Sequence, residues 1–335
     1  MNSIEITQLS VVVTYQCNLH CQYCFVSDKS MAKAIEMRTV LQAVEMWKSV
    51  FSGGKKQLKI LFTGGEPLLK KDLILSMIDE LSQTYPEIDF AFHITTNGLL
   101  LSDDFLQEVV RRNNLFLCVS IDGDELSNKE RFSDSRATFE AVQGNIVSYA
   151  KQLDNTKFRV RMTITPRNVR FFYDNIGKLV ELGVQNIHFS PNYEEEWADD
   201  CIESYFLAYG KLDEYVKKGI IVEPFISFCH NVLEKQGPYE HDCSFLPTIN
   251  ADGDVYYCPR YAGKRLSRLG HVSKPLEVLL NFRKVVGYGQ RVFQQEQFSF
   301  ICPSNYMENS GISVTFRKFY DRFKVFVEVF LKEAQ

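Results

Sequence analysis

The sequence predicts an α/β protein: a partial (β/α)6 TIM barrel with a small Cys-containing C-terminal α+β extension. Three observations predict it. Apolar, β-branched runs alternate with amphipathic helical patterns six times between Ser10 and Lys218. The strand runs are nearly continuous in hydrophobicity, as parallel strands covered by helices are. After about Ile220 the alternation stops, and Pro, Gly, Tyr and Cys become frequent. The expected division is a barrel at residues 1–222 and an extension at residues 223–335.

The elements follow in order. Ser10–Tyr15 reads as the first strand, and Thr39–Val50 as a helix whose Thr39 and Gln42 have capping-box spacing. Leu58–Thr63 is a strand, followed by a helix over Asp72–Gln83. Phe90–Thr95 is a strand, and Ser102 caps the helix that runs to Arg112. Leu115–Ile121 and Thr138–Leu153 form the fourth unit, Phe158–Thr165 and Phe171–Leu182 the fifth, with Gly183 as the stop. Asn186–Ser190 and a helix from Asp199 to Lys218 complete the sixth. Eight such units close a TIM barrel, so six predict a partial one, with functional residues at the C-terminal strand ends. The tail from Ser313 to Ala334 reads as a helix. Its stripe of Phe316, Phe319, Phe323, Phe326 and Phe330 is expected to pack on the barrel, with a partner-binding or dimerising face as the alternative.

Composition narrows the function. The 335 residues carry 38 basic and 42 acidic side chains, a net charge of −4, which offers no broad phosphate-neutralising surface; no nucleic-acid partner is expected. No apolar run approaches the roughly 20 residues of a bilayer span, and Met1–Glu5 shows no signal-like start, so a cytoplasmic protein with no membrane partner is expected. The nine cysteines are the anomaly. An odd count without an export signal argues against a disulfide framework, and three of the nine fall within eight residues.

Those three, Cys17, Cys21 and Cys24, form a C-x3-C-x2-C loop directly after the first strand. Structural zinc takes four ligands, and no fourth Cys or well-spaced His closes this loop; His20 adjoins Cys21, where joint ligation is awkward. Three thiolates suit a 4Fe–4S cube with one iron open to a small chelating ligand, with zinc or unliganded thiols as the alternatives. Gly64-Gly65-Glu66-Pro67 ends the second strand, where two glycines let the backbone approach a ligand and Glu66 can accept hydrogen bonds from an ammonium group. Thr96, Asn97 and Gly98 follow the third strand, and Ser120, Asp122 and Gly123 the fourth. Arg131 and Arg161 read as solvated or structural, with a carboxylate partner as the alternative, and His188 as a core histidine, with a cavity-facing one as the alternative; Cys118 and Cys201 read as ordinary thiols, with hydrogen-atom donation as the alternative.

With these motifs the chain resembles the radical S-adenosylmethionine (SAM) superfamily over roughly Ser10 to Ile220. The resemblance implies a 4Fe–4S cluster on Cys17, Cys21 and Cys24, whose open iron chelates SAM. One electron then cleaves SAM to methionine and a 5′-deoxyadenosyl radical, which abstracts a substrate hydrogen. It implies that Tyr23 lies near the adenine, that Gly64, Gly65, Glu66 and Pro67 receive the SAM amino group, and that Thr96, Asn97, Ser120 and Asp122 serve its ribose and carboxylate. It also implies a reductant such as flavodoxin or ferredoxin.

In the extension, Cys243 and Cys258 frame a C-x9-G-x4-C pattern around Ile249–Tyr257, which reads as a hairpin turning at Ala251–Asp254. This is similar to the opening half of the SPASM or twitch extension of peptide-modifying enzymes, which binds auxiliary 4Fe–4S clusters. The full SPASM series of cysteines is missing: after Cys302 comes Pro303-Ser304-Asn305, with Asn where the next Cys would fall. One auxiliary cluster on Cys243, Cys258 and Cys302 is the expectation, with Cys229, another side chain or the substrate as fourth ligand, and a cluster-free domain as the alternative.

The implied activity is modification of a peptide by cross-linking, epimerisation or oxidation. A sulfatase-maturing or small-molecule dehydrogenase activity is the alternative; Pro259 stands where sulfatase-maturing relatives carry an Asp. A non-catalytic iron–sulfur electron-transfer protein is the reading from another class. Because the cysteine loop begins at residue 17, no leader-binding module is expected before the barrel, leaving recognition to the extension or to a separate protein.

Overall fold

A computed structural model describes residues 6–26, 29, 32–132, 136–223, 246–263 and 267–284, with 318, 319, 322, 325 and 326 near the C-terminus. By its contacts the chain groups into two compact units: residues 1–20, 24–118 and 243–292, and residues 21–23, 119–242 and 293–335.

The first unit is built on β1 (Gln8–Thr14), β2 (Gln57–Gly64) and β3 (Asp89–Thr96), parallel and in register. Helices α1 (Met37–Val50), α2 (Lys71–Thr84) and α3 (Asp103–Arg111) connect them. β2 and β3 bury alternate residues: Leu58, Ile60, Phe62 and Phe90, Phe92, Ile94 are closed off, while Leu61, Thr63, His93 and Thr95 on the other face are half-buried. β1 is buried on both faces from Leu9 to Thr14. Its edge away from β2 is covered by the chain after residue 245. Thr248–Ile249 forms β8, which pairs parallel with Ser10 and Val11, and β9 (Asp254–Tyr256) and β10 (Arg268–His271) continue antiparallel from it. Within this unit the strand order is β10-β9-β8-β1-β2-β3-β4, ending on the first residues of β4 (Leu115–Ser120).

The second unit continues from the end of β4 through β5 (Phe158–Ile164), β6 (Asn186–Pro191) and β7 (Ile221–Glu223), again parallel. Its helices are α4 (Lys129–Phe132), α5 (Arg136–Gln152), α6 (Phe172–Glu181), α7 (Asp199–Tyr209) and α8 (Asp213–Val216). Phe172, Phe189, Tyr205 and Tyr209 form an aromatic core, with the Phe172–Phe189 centroids 4.8 Å apart. Phe319 and Phe326 of the predicted stripe pack on Tyr205, Phe206 and Tyr209; Phe316, Phe323 and Phe330 lie outside the described residues.

All six predicted βα units are present, with three corrections. Helix α1 begins two residues before Thr39, so Thr39 is a buried first-turn residue, and its N-cap Glu36 makes no capping bond. The helix expected over 199–218 breaks at Gly210 into α7 and α8. Strand β7 was not foreseen: three residues, Ile221–Glu223, give too short a period to stand out. Ser102 caps α3 as expected, its Oγ accepting from the Phe105 N–H at 3.4 Å. Among the described residues no helix is long and apolar enough to cross a membrane.

Phe172 is fully buried against Phe189 and Tyr205. Phe172→Ala is expected to lower stability by about 3–5 kcal/mol in urea unfolding; a loss under about 1 kcal/mol would contradict this packing.

Candidate functional site

In the first unit, β1 delivers the chain into the cysteine loop, and the Gly64-Gly65 turn lies against that exit. The Gly65 N–H donates to the Thr14 carbonyl at 2.8 Å, and the Glu66 N–H to the Gln16 carbonyl at 2.9 Å. A Cβ on Gly64, at φ +132°, would stand 2.3 Å from the Thr14 carbonyl oxygen; one on Gly65 would stand 2.3 Å from that of Gln16. Both positions require glycine because two backbones meet there.

Glu66 is fully buried and its carboxylate accepts three hydrogen bonds that join the turn after β2 to the end of β3. Oε1 accepts from the Leu68 N–H at 2.9 Å and the Thr96 hydroxyl at 2.7 Å, and Oε2 from the Asn97 N–H at 2.7 Å. The first bond caps the short 3-10 turn Pro67–Lys70, with Pro67 at its first position. Burial pushes the carboxyl above its usual range, and the three donated hydrogen bonds oppose that only in part. Asn97 extends the network to the cysteine loop. Its Nδ2 donates to Asn18 Oδ1 at 2.7 Å and lies 3.9 Å from Cys17 Sγ. The Leu19 N–H also donates to Cys17 Sγ, at 3.4 Å. Cys24 packs against Val12, Tyr15 and Val26.

In the second unit, Cys21–Tyr23 group with the segment after β4. The Gln22 N–H donates to the Glu130 carbonyl at 2.8 Å, and the Tyr23 hydroxyl donates to Asp122. Asp122, fully buried, also accepts from Arg131 Nη2 at 2.9 Å and from the Thr163 N–H at 2.8 Å. The Arg131 guanidinium lies over the Tyr23 ring, 5.4 Å from its centroid. Burial opposes the Arg131 charge, but Asp122, Tyr23 and Cys21 outweigh it and hold the group above its ordinary value. Burial, with Asp122 adding and Arg131 opposing, keeps the Tyr23 phenol well above its usual range.

The predicted residues therefore fall into two groups. Gly64, Gly65, Glu66, Pro67, Thr96, Asn97 and Cys17 form one connected network; Tyr23 and Asp122 form another, with Ser120 half-buried at the end of β4. Asn18 and Arg131 complete these networks. Asn18's pairing has no signal in the sequence, and Arg131 pairs with the buried Asp122 carboxylate. Arg161 is exposed on β5, and His188 half-buried on β6. Cys118 is buried in β4, and Cys201 is half-buried on α7. Cys258 is a half-buried thiol just after β9; Cys229, Cys243 and Cys302 lie outside the described residues.

Among the described residues, no three His, Cys, Asp or Glu side chains are gathered into a ready-made metal site. The fit of a cluster rests on the donor set: three half-buried cysteine thiols on one short loop, whose first sulfur already accepts a backbone N–H. The backbone cradle of Gly64 and Gly65 beside that loop fits a small ligand reaching the open iron.

Two substitutions test these networks. Glu66→Gln sets an amide N–H2 against one of three donors and is expected to cost about 1–3 kcal/mol in urea unfolding. An unchanged midpoint would contradict the network. Arg131→Gln leaves Asp122 charged and buried, at an expected cost of about 3–5 kcal/mol, and Asp122→Asn is similar. The double variant should cost less than the sum of the singles; strict additivity would show that the pair does not interact.

Residues 11–166 match the family model of the radical SAM superfamily. The chain is 26% identical over 298 residues to an uncharacterized protein of Methanocaldococcus jannaschii, covering 87% of this chain and 97% of that one. It is 31% identical over 148 residues to the GTP 3′,8-cyclase of Clostridium botulinum strain Hall, covering 42% of this chain and 44% of the cyclase. Its fold is like that of anSMEcpe solved with AdoMet and the Cp18Cys peptide: the TM-score is 0.71 at 16% identity, over 96% of this chain and 98% of that one. The fold is the expected partial barrel, and over residues 11–166 the chain is similar to the radical SAM superfamily, whose cofactors are a 4Fe–4S cluster and S-adenosylmethionine.

Proposed function

We propose that this chain is a radical SAM enzyme that modifies a peptide by cross-linking, epimerisation or oxidation. When bound, the cluster and SAM supply one-electron reductive cleavage of the sulfonium and a 5′-deoxyadenosyl radical that takes a hydrogen atom from the substrate. In this reading Cys17, Cys21 and Cys24 hold the cluster. Asn97 and the Leu19 N–H position the first sulfur. Glu66, with both oxygens engaged, acts as a positioning residue and leaves the Gly64-Gly65 backbone to meet the SAM amino group. Arg131 fixes Asp122, and Asp122 fixes Tyr23 next to Cys24. The electron comes from a flavodoxin or ferredoxin, and a separate protein or the C-terminal region recognises the substrate. Cys243, Cys258 and Cys302 hold an auxiliary cluster in a SPASM/twitch-like arrangement.

The observation that carries the reading is Asn97, whose backbone binds the GGEP carboxylate and whose side chain binds the cysteine loop. Three motifs far apart in sequence thus meet as one chemical site needs them to. The peptide substrate is supported by the likeness in fold, over nearly the whole chain, to a structure that contains a peptide. A small-molecule substrate is favoured instead by the identity to the GTP 3′,8-cyclase over 148 residues.

Anaerobically reconstituted protein is expected to bind about 4 iron at the first site and to convert SAM with dithionite to 5′-deoxyadenosine. The combined change of Cys17, Cys21 and Cys24 to Ala should abolish that product. Full iron loading without 5′-deoxyadenosine would reject the assignment. Iron remaining near 4 in the triple variant supports the auxiliary cluster, and iron near zero rejects it. Deuterium passing into 5′-deoxyadenosine from a labelled peptide, and not from labelled GTP, would separate the two substrate readings.

A further inference from the structure

A cavity of about 390 Å³ opens in the first unit between β1–β2 and the β8–β9 hairpin. Its walls include Tyr15, Thr63 and Gly64 on one side and Asn250 and Tyr256 on the other, with Phe25 and Val26, which follow Cys24. The Tyr15 ring belongs to the small apolar cluster on which Cys24 packs, so the cavity adjoins both the third cysteine and the GGEP turn.

Its polar chemistry is uneven. Tyr15 is 9% exposed, and its hydroxyl has no hydrogen-bond partner of good geometry among the described residues, although Asn250 lies beside it. A buried orphan hydroxyl costs stability and calls for a reason. Asn250 spends its Oδ1 on the Asp252 and Asp254 N–H groups, each at 3.0 Å, and its Nδ2 donates to the Tyr256 hydroxyl at 3.5 Å. That leaves the Tyr256 O–H and one Asn250 N–H, with the Tyr15 O–H, as donors at the cavity. The two carboxylates on its rim are matched: Asp252 pairs with Lys33, and Asp254 with Arg268 at 2.7 Å. The net offer is neutral donors and apolar walls, with no unmatched charge to hold an ion. Its volume is at the small end for ligand pockets, too small for a whole nucleotide with its phosphates and suited to a single amino-acid residue.

We propose that this cavity is the subsite for the reacting residue of the substrate, and that Tyr15, Asn250 and Tyr256 bind a neutral amide carbonyl there. The proposal rests on the peptide reading above. It deepens that reading by naming the residues that recognise the substrate and the group they recognise. The carbonyl supplies the well-aligned partner that the Tyr15 hydroxyl lacks among the described residues, which places the adjoining Cα and Cβ next to the cysteine loop and the Gly64 turn.

The test uses reconstituted holoprotein with N-acetyl-L-leucinamide as probe, followed by ligand-observed NMR titration. The capped amino acid should bind in about the millimolar range, acetate and methylammonium at least tenfold more weakly, and saturating SAM should leave its binding in place. Tyr15→Phe removes only the hydroxyl. It should weaken the amide roughly five- to tenfold while the melting temperature stays level or rises, because no partner is lost in the free protein. A fall in melting temperature would assign the hydroxyl a structural bond and overturn the proposal. So would equal affinity in the variant, no binding of the amide, or displacement of the amide by SAM, which would make the cavity part of the SAM site. Formation of 5′-deoxyadenosine by the same preparation is scored separately, so an enzyme that cleaves SAM without binding the amide defeats the subsite alone. One that binds the amide without cleaving SAM defeats the radical reading alone.

Discussion

A buried carboxylate with three donors holds the first unit's site together. Backbone bonds already tie the turn after β2 to the exit from β1, and the Glu66 carboxylate ties that turn to the end of β3. The Leu68 and Asn97 N–H groups and the Thr96 hydroxyl are pinned to this one group, and Asn97 passes that order to Asn18 and Cys17. The two glycines serve the same end by letting the turn sit against the Thr14 and Gln16 carbonyls. Such fixing matters for chemistry because a ligand-bearing loop held to within a fraction of an ångström loses little entropy on binding its cofactor.

The second unit uses a different device for the same purpose. Most ion pairs among the described residues are exposed, such as Lys217–Asp213 and Lys178–Glu181, and solvent screening leaves them contributing little. Asp122–Arg131 differs in kind: both groups are buried, so each is costly alone and the pair is kept only because the bonds to Tyr23 and the Thr163 N–H satisfy what remains. The result is a tyrosine fixed between two cysteines of the loop, and a positive charge that feels Cys21. A cationic neighbour favours the thiolate form, the form in which sulfur binds iron.

Sequence periodicity was enough for the six βα units because each strand is apolar and each helix carries one apolar face, and both periods run long enough to read. It was enough for the cysteine loop and the GGEP turn because their residue types are chemically restrictive. It did not reveal the two-residue pairing of β8 with β1, since Thr248 and Ile249 carry no period and their partner lies far away in sequence. Nor did it reveal that Glu66 faces inward to the chain's own donors, because an acid at a strand end reads the same whether its partner is a ligand or a backbone N–H. Tyr15 reads in the sequence simply as the end of a strand; its buried hydroxyl is evident only with the β8–β9 hairpin folded beside it.

In the proposed function the three thiols of the front loop hold a 4Fe–4S cluster with an iron open to SAM. Electron paramagnetic resonance of the dithionite-reduced, reconstituted protein is the decisive measurement. The expected result is the signal of a one-electron-reduced 4Fe–4S cluster whose g values shift when SAM is added. Zinc in place of iron on metal analysis, or a cluster signal indifferent to SAM, would contradict it.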